Sequence, residues 1–187
     1  MPLLLLLAFP QSTDRVDPLY LELMAHWEGV AVRYLGLRPG TPEDELEAIF
    51  IDEAKRRRGD GPFLIGGFSL GARIAAQVAH LIDPDGFVGF GYPFHPRQEP
   101  QRRPGLEALR ALTVPALLVQ GTRDAHGNRD QVRGYGSLGG AVSMKWLEDG
   151  NHRFVPRKTS PWSRGDHVQS AAHAARDFVT SRSAAHD

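Results

Sequence analysis

Three side chains of this sequence have the types and positions that nucleophilic acyl transfer uses. Ser69 stands in Gly67-Phe68-Ser69-Leu70-Gly71, between an apolar run ending in two glycines and a segment of helical period. A hydroxyl lifted onto so sharp a strand-to-helix corner sits at strained backbone angles. The residues two positions to either side crowd together there, and glycine at both relieves the clash. The corner also turns the N–H of Leu70 and the positive end of the following helix toward any oxyanion formed at the hydroxyl. Asp124 lies in VQGTRDAHGN, a few residues past another apolar run, where a carboxylate can fix an imidazole in one tautomer. His152 lies in WLEDGNHRF, across a polar turn from a third run, and can serve as general base and then general acid.

Each of the three also has an ordinary reading. Glycine-rich turns serve close packing, aspartates beside glycine are common in turns, and a loop histidine is usually a surface residue. Their conjunction carries the inference, because serine, aspartate and histidine occur in that order, each after a different apolar run. Competing chemistries fail on residues. A P-loop needs lysine after Gly71, where Ala72 stands, and no G-x-G-x-x-G threads through Gly66, Gly67 and Gly71. Asp124, His126, His152 and His95 lack the ligand spacing of a zinc site, so neither metal nor cofactor is expected.

The elements that must position these groups follow from the hydrophobic pattern. Strands are expected at 2–9, 30–35, 62–67, 86–90, 114–120 and 142–147, several apolar on consecutive residues, as strands covered on both faces require. Helices are expected at 17–27, 41–58, 70–82 and 166–182. The second opens with Thr41 as N-cap and Pro42 at the first helical position, buries Leu46, Ile49, Phe50 and Ala54, and ends in a basic run, Lys55 to Arg58, before Gly59. Those cations suit a solvated helix terminus better than nucleic acid. Arg73, Gln77 and His80 share one stripe of the 70–82 helix, and Val168, Ala171, Ala172, Ala175, Phe178 and Val179 form the buried face of the last. The succession implies a three-layer α/β/α fold on a mostly parallel sheet of about six strands, its ligand site beyond the strands' carboxyl ends.

The 187 residues are expected to form a single domain, 1–187, with fraying after Arg182. Lys and Arg together number 22, as do Asp and Glu, so nothing global draws the chain to nucleic acid or to an anionic membrane, and a small-molecule substrate is the expected partner. The absence of cysteine removes disulfides and a thiolate nucleophile, and fits a cytoplasmic monomer or homodimer. The opening MPLLLLLAFPQS has no basic leader and an apolar run of only residues 3–9, which reads as a buried strand rather than a signal peptide, and no run has the length of a membrane span.

GGFSLGAR, GYPFHPR, VQGTRDAHG and DGNHRF resemble the α/β-hydrolase superfamily, and within it the small dienelactone-hydrolase-like branch, over nearly the whole chain. The resemblance implies a triad of Ser69, Asp124 and His152, an oxyanion donor at Leu70 N–H, and hydrolysis of a small ester or thioester. Two departures stand out. The chain opens on what resembles the third strand of the fold, without the usual N-terminal hairpin, which leaves a sheet edge open. Many relatives carry His-Gly where this chain has Phe9-Pro10, so the second oxyanion N–H must come from Gln11 or Ser12. The segment between strands 86–90 and 114–120 is too short for a helical cap. It implies an open site lined by Phe9, Tyr92, Phe94 and His95, with Arg97, Arg102 and Arg103 at the rim, either as solvated loop residues or as a preference for anions. A non-catalytic binding or scaffold protein on the same fold is the alternative.

Overall fold

The computed structural model describes residues 3–11, 13, 15–27, 30–139 and 141–183, with the side chain of Ser183 excepted. Pro2, Ser12 and the residues after Ser183, on which parts of the expected first strand, oxyanion loop and fraying tail fall, lie outside the described residues.

The leucine run is a strand because both of its faces are covered. In β1 (Leu4–Pro10), Leu5, Leu7 and Phe9 enter one hydrophobic cluster and Leu6 and Ala8 enter another on the opposite side. Successive residues of β3 (Phe63–Phe68) and β5 (Ala116–Gly121) divide between the same two clusters. With β2 (Ala31–Leu37), β4 (Gly86–Phe90) and β6 (Val142–Leu147) they form one six-stranded sheet of order β2-β1-β3-β4-β5-β6, every pairing parallel. The strand order turns back between β1 and β3, so a crevice opens at the carboxyl ends of those two strands. The sheet edges among the described residues are β2 and β6.

Helices cover both faces. α1 (Pro18–Met24) and α6 (Arg164–Ser183) contribute to one cluster, with Leu19, Leu23, Val168, Ala171, Ala172, Ala175 and Val179 buried and Phe178 packed against them. α2 (Glu43–Arg57) and α3 (Leu70–Ile82) contribute to the other. α1 opens as expected, with the Asp17 carboxylate accepting the Leu19 N–H at 2.8 Å.

α2 departs from expectation in its first turn and its inner stripe. Pro42, not Thr41, is its N-cap, and Ile49 is exposed while Glu53 is buried. Glu53 tolerates burial because its carboxylate pairs with Arg56 at 2.7 Å and Arg57 at 2.8 Å. Arg58 donates to the carbonyls of Ile82 and Asp83 at the end of α3, so the basic run serves its own helix and its neighbour's terminus.

Two short helices were not expected from the pattern. α4 (Pro104–Arg110) occupies the latter part of the proline-rich segment, with proline at its first position and Leu106 and Leu109 buried. α5 (Arg129–Gly134) follows Asp124 and begins with a capping box between Asn128 and Gln131.

The core leaves little room beneath the turn that carries Ser69. A Cβ at Gly66 would lie 1.9 Å from the carbonyl oxygen of Val88 in β4. Gly66→Ala therefore has to push β3 and β4 apart, at a cost of about 3 kcal/mol. The expected result is a thermal midpoint lower by about 10 °C, followed by circular dichroism; an unchanged midpoint would show that the two strands have room to part.

Candidate active site

Ser69 ends β3 and immediately precedes α3, at φ 52° and ψ −122°. An L-residue adopts such angles only when its surroundings impose them. Here the Ser69 N–H donates to the Phe90 carbonyl of β4 at 3.0 Å, and the Ser69 carbonyl accepts from Arg73 N–H at 3.1 Å in the first turn of α3. On the other side runs β1. A Cβ at either Gly67 or Gly71 would come 2.1 Å from the Ala8 carbonyl oxygen, so both glycines are set by close approach of backbone. The pairing of glycines around Ser69 thus has a structural cause in β1 as well as in the turn itself.

The loop after β5 supplies Asp124, which is wholly buried. The loop after β6 supplies His152, whose side chain is 24% exposed. That second loop is sharply bent, with Asp149 at φ 60° and Phe154 at φ 64°, both in the left-handed region. It is held from within by the Asn151 side chain, which accepts from Arg153 N–H and Val155 N–H, and from behind by His167 of α6, whose Nδ1–H donates to the Phe154 carbonyl at 2.9 Å.

These elements bring the three side chains together. His152 Nδ1 lies 2.9 Å from Asp124 Oδ2, and His152 Nε2 lies 2.9 Å from Ser69 Oγ. Because the buried carboxylate faces Nδ1, that nitrogen carries the proton. Nε2 then offers its lone pair to the serine hydroxyl. Asp124 Oδ1 accepts the N–H of His126 at 2.8 Å, and Asp124 Oδ2 also accepts from Gln120 Nε2 at 2.9 Å. The buried carboxylate therefore has a donor on each of its oxygens, which offsets the cost of its burial.

A cleft of about 260 Å³ opens beside Ser69, lined by Leu70, Arg73, Pro93, His95, Pro96 and His126. His126 Nδ1–H donates to the His95 carbonyl at 3.1 Å, and its ring centroid is 4.7 Å from that of His152. Burial, and then the neighbouring His152, push the proton affinity of His126 below the ordinary histidine range. Arg73 is the cation of this wall. It is held by Glu43 of α2 through two hydrogen bonds of 2.7 and 2.9 Å, and its guanidinium keeps the Glu43 carboxyl below the usual range.

The geometry corrects several sequence expectations. Phe9, Tyr92 and Phe94 are completely buried and are not among the residues lining the cleft beside Ser69, so they pack beneath it. Phe9 stacks on Phe68, whose ring lies 5.0 Å from that of His152, and the Tyr92 hydroxyl, its proton affinity raised by burial, donates to the Gly105 carbonyl at 2.8 Å. Of the four expected lining residues only His95 reaches the cleft.

The Gln11 N–H is spent on the Leu37 carbonyl at 2.7 Å, and its side-chain amide bonds the Arg15 carbonyl, so Gln11 is not available as an oxyanion donor. Leu70 is the first residue of α3, where a backbone N–H has no intrahelical partner. Arg97, Arg102 and Arg103 lie off the cleft wall. Arg102 pairs with Glu99, and Arg103 stacks over Tyr135 with its guanidinium carbon 4.7 Å from the ring centre. The residues missed were Gln120, His126 and Arg73. Only Arg73 had a signal, its place one turn after Ser69 in the expected helix.

A model of the "Alpha/beta hydrolase domain" family matches residues 32–180. The chain belongs to the α/β-hydrolase family. Among curated protein sequences none matches it. Solved structures of similar fold include the esterase domain of a Rhodothermus marinus protein, at 13% identity and TM-score 0.69, covering 94% of this chain and 85% of that one. Est1E from Butyrivibrio proteoclasticus matches at 10% identity and TM-score 0.70, covering 98% and 89%. A lidless α/β serine hydrolase from Xanthomonas campestris matches at 16% identity and TM-score 0.66, covering 94% and 82%. At these identities the likeness is one of fold. Among the described residues this hydrolase has no cluster of three or more His, Asp or Glu side chains suited to a metal, and no helix long and apolar enough to cross a membrane.

The depressed proton affinity of His126 has a stability consequence with a definite sign. The unfolded chain takes up that proton more readily, so stability is present above the ordinary histidine range near about pH 6.5 and is lost as pH falls below it. In urea titrations at about pH 7.5 and about pH 5, His126→Gln should lose less of its unfolding midpoint on acidification than the wild type. Equal losses would mean that His126 protonates as easily folded as unfolded.

Proposed function

We propose that this α/β hydrolase is a serine hydrolase that cleaves a small carboxylic ester or thioester through an acyl-enzyme on Ser69. The observation that carries the reading is the unbroken relay from Ser69 Oγ through His152 to the buried Asp124, with both contacts at 2.9 Å. Ser69 Oγ attacks the substrate carbonyl while its proton passes to His152 Nε2. Asp124 stabilises the resulting imidazolium. The Leu70 N–H and the amino end of α3 face the oxyanion. Collapse breaks the bond to the alkoxide or thiolate, which leaves with the proton from Nε2. Water then attacks the Ser69 ester, gives a proton to His152, and releases the acid and the regenerated serine. None of these steps calls on a metal or an organic cofactor.

The size of the cleft supports a small acyl group, since about 260 Å³ falls below the range of roughly 300–1,000 Å³ that holds drug-sized ligands. A second reading, a binding protein that keeps the fold and has lost turnover, is favoured by one observation. Pro10 has no N–H and the Gln11 N–H is committed to Leu37, so neither of these two residues gives the oxyanion a second backbone donor.

A fluorophosphonate probe separates the two readings without knowledge of the substrate. The wild type should be labelled and Ser69→Ala should not. Folded wild-type protein that takes no label would sink the enzyme reading in favour of the binding protein. With 4-nitrophenyl esters, kcat/KM should fall as the acyl chain lengthens past a few carbons, and His152→Ala should reduce turnover by about a thousandfold or more. A preference for long chains would contradict the small, open cleft.

A further inference from the structure

Gln120 sits at the end of β5 with no solvent exposure and with its carboxamide hydrogen-bonded on every side. Its oxygen accepts the Tyr92 N–H at 2.7 Å. A backbone N–H can only donate, so this bond fixes which way the amide faces, and the nitrogen must point to the other side. There Nε2 donates to Asp124 Oδ2 at 2.9 Å, with the Tyr92 and Gly127 carbonyls at 3.1 and 3.3 Å sharing its protons. One side chain thus ties the loop after β4, which carries the cleft wall at Pro93 and His95, to the loop that carries Asp124. The oxygen it grips on Asp124 is the same one that faces His152 Nδ1.

We propose that Gln120 is a positioning residue that sets how strongly His152 holds a proton. By donating to Oδ2 it holds the carboxylate in the rotamer that meets the imidazole. It also draws off part of the charge that would otherwise act on His152 alone. The proposal deepens the triad reading of Ser69, Asp124 and His152 and rests on it, but its measurement does not depend on turnover. The other titratable or charged groups round His152 are His126, on the Asp124 loop; Arg153, stacked over Phe68 and paired with Asp17 ahead of α1; Arg73 in the lining of the cleft; and His167 of α6, behind Phe154. None of these touches Oδ2, so a change confined to Gln120 reports on that oxygen.

The test is a pH titration of the full chain by NMR, following the His152 ring and the Gln120 carboxamide protons. In the wild type the Gln120 protons should shift with the same midpoint as His152, because the two donors share one acceptor. In Gln120→Met, which keeps the volume and removes the donor, the His152 midpoint should rise by about one pH unit. A pin that serves packing alone would lower the melting temperature and leave that midpoint where it was. Gln120 protons indifferent to His152, or an unchanged or lowered midpoint in folded Gln120→Met, would overturn the proposal. The wild-type measurement stands if the variant does not fold. Fluorophosphonate labelling decides the triad reading separately, since His152 titrates whether or not Ser69 reacts.

Discussion

The carbonyl of Ala8 enters the inside of the turn that holds Ser69, and the geometry of the site depends on that approach. It is possible only because Gly67 and Gly71 have no side chains, since a Cβ on either would lie 2.1 Å from the oxygen. β4 closes the other side through the bond from Ser69 N–H to the Phe90 carbonyl. The turn is therefore clamped between two strands, and the strained angles of Ser69, which cost on the order of 1–3 kcal/mol, are sustained by neighbours that leave the backbone no alternative. The same clamp explains why β1 must be a central strand, and why it carries leucine on consecutive positions. A strand pressed between two others and covered by helices on both faces exposes nothing that could be polar.

Electrostatics impose the second constraint. Asp124 is fully buried, and burying a carboxyl group is costly unless donors replace its hydration. Three do so here, from three different contexts: the backbone of His126, the carboxamide of Gln120 and the imidazole of His152. Two of them come from the chain near Asp124 itself, so most of the donors to the acid belong to its own loop and strand. The His152 loop is held by its own two left-handed residues, the Asn151 turn and the His167 bond to Phe154, and is tied to the Asp124 loop by the bond from Arg123 N–H to the Gly150 carbonyl. The imidazole is thereby placed with its two nitrogens each 2.9 Å from a partner.

What could be read in the sequence follows from the range of the forces involved. The strands were legible because burial on both faces leaves an unbroken apolar run, and β4 and β6 fall on the expected residues. Ser69, Asp124 and His152 were legible through their places after strands. α4 and α5 escaped notice because seven and six residues are too few for a helical period to stand out, although the Asn128 to Gln131 capping box is visible in the letters. Tyr92 and Phe94 were misjudged for a general reason. An aromatic residue in a loop beside a site can face the cleft or the core, and only the path of the backbone decides which; here α4 draws both inward. Gln120 had no local signal at all, since its role depends on loops 28 residues behind it and 4 ahead of it in the chain.

The proposed chemistry needs a proton relay and an oxyanion site, and a shortfall in the second would decide which half-reaction is slow. On that reading the relay from Ser69 to Asp124 is complete, whereas Pro10 has no N–H and the Gln11 N–H is bonded to Leu37, which leaves the second donor to Ser12, outside the described residues. One missing donor costs about a hundredfold to a thousandfold in turnover. That loss weighs on both acylation and deacylation, because each passes through a tetrahedral oxyanion. Acylation can recover it when the substrate carries a good leaving group, as in an aryl ester or a thioester. Deacylation cannot, because its leaving group is always the Ser69 alkoxide and its nucleophile is always water. Without a second donor, activated substrates would meet a slow second half-reaction and the acyl-enzyme would accumulate, whereas simple alkyl esters would stall at the first. The substitution of Phe9-Pro10 for His-Gly would act as a filter on leaving groups rather than on acyl groups, a selectivity separate from that imposed by the walls of the cleft.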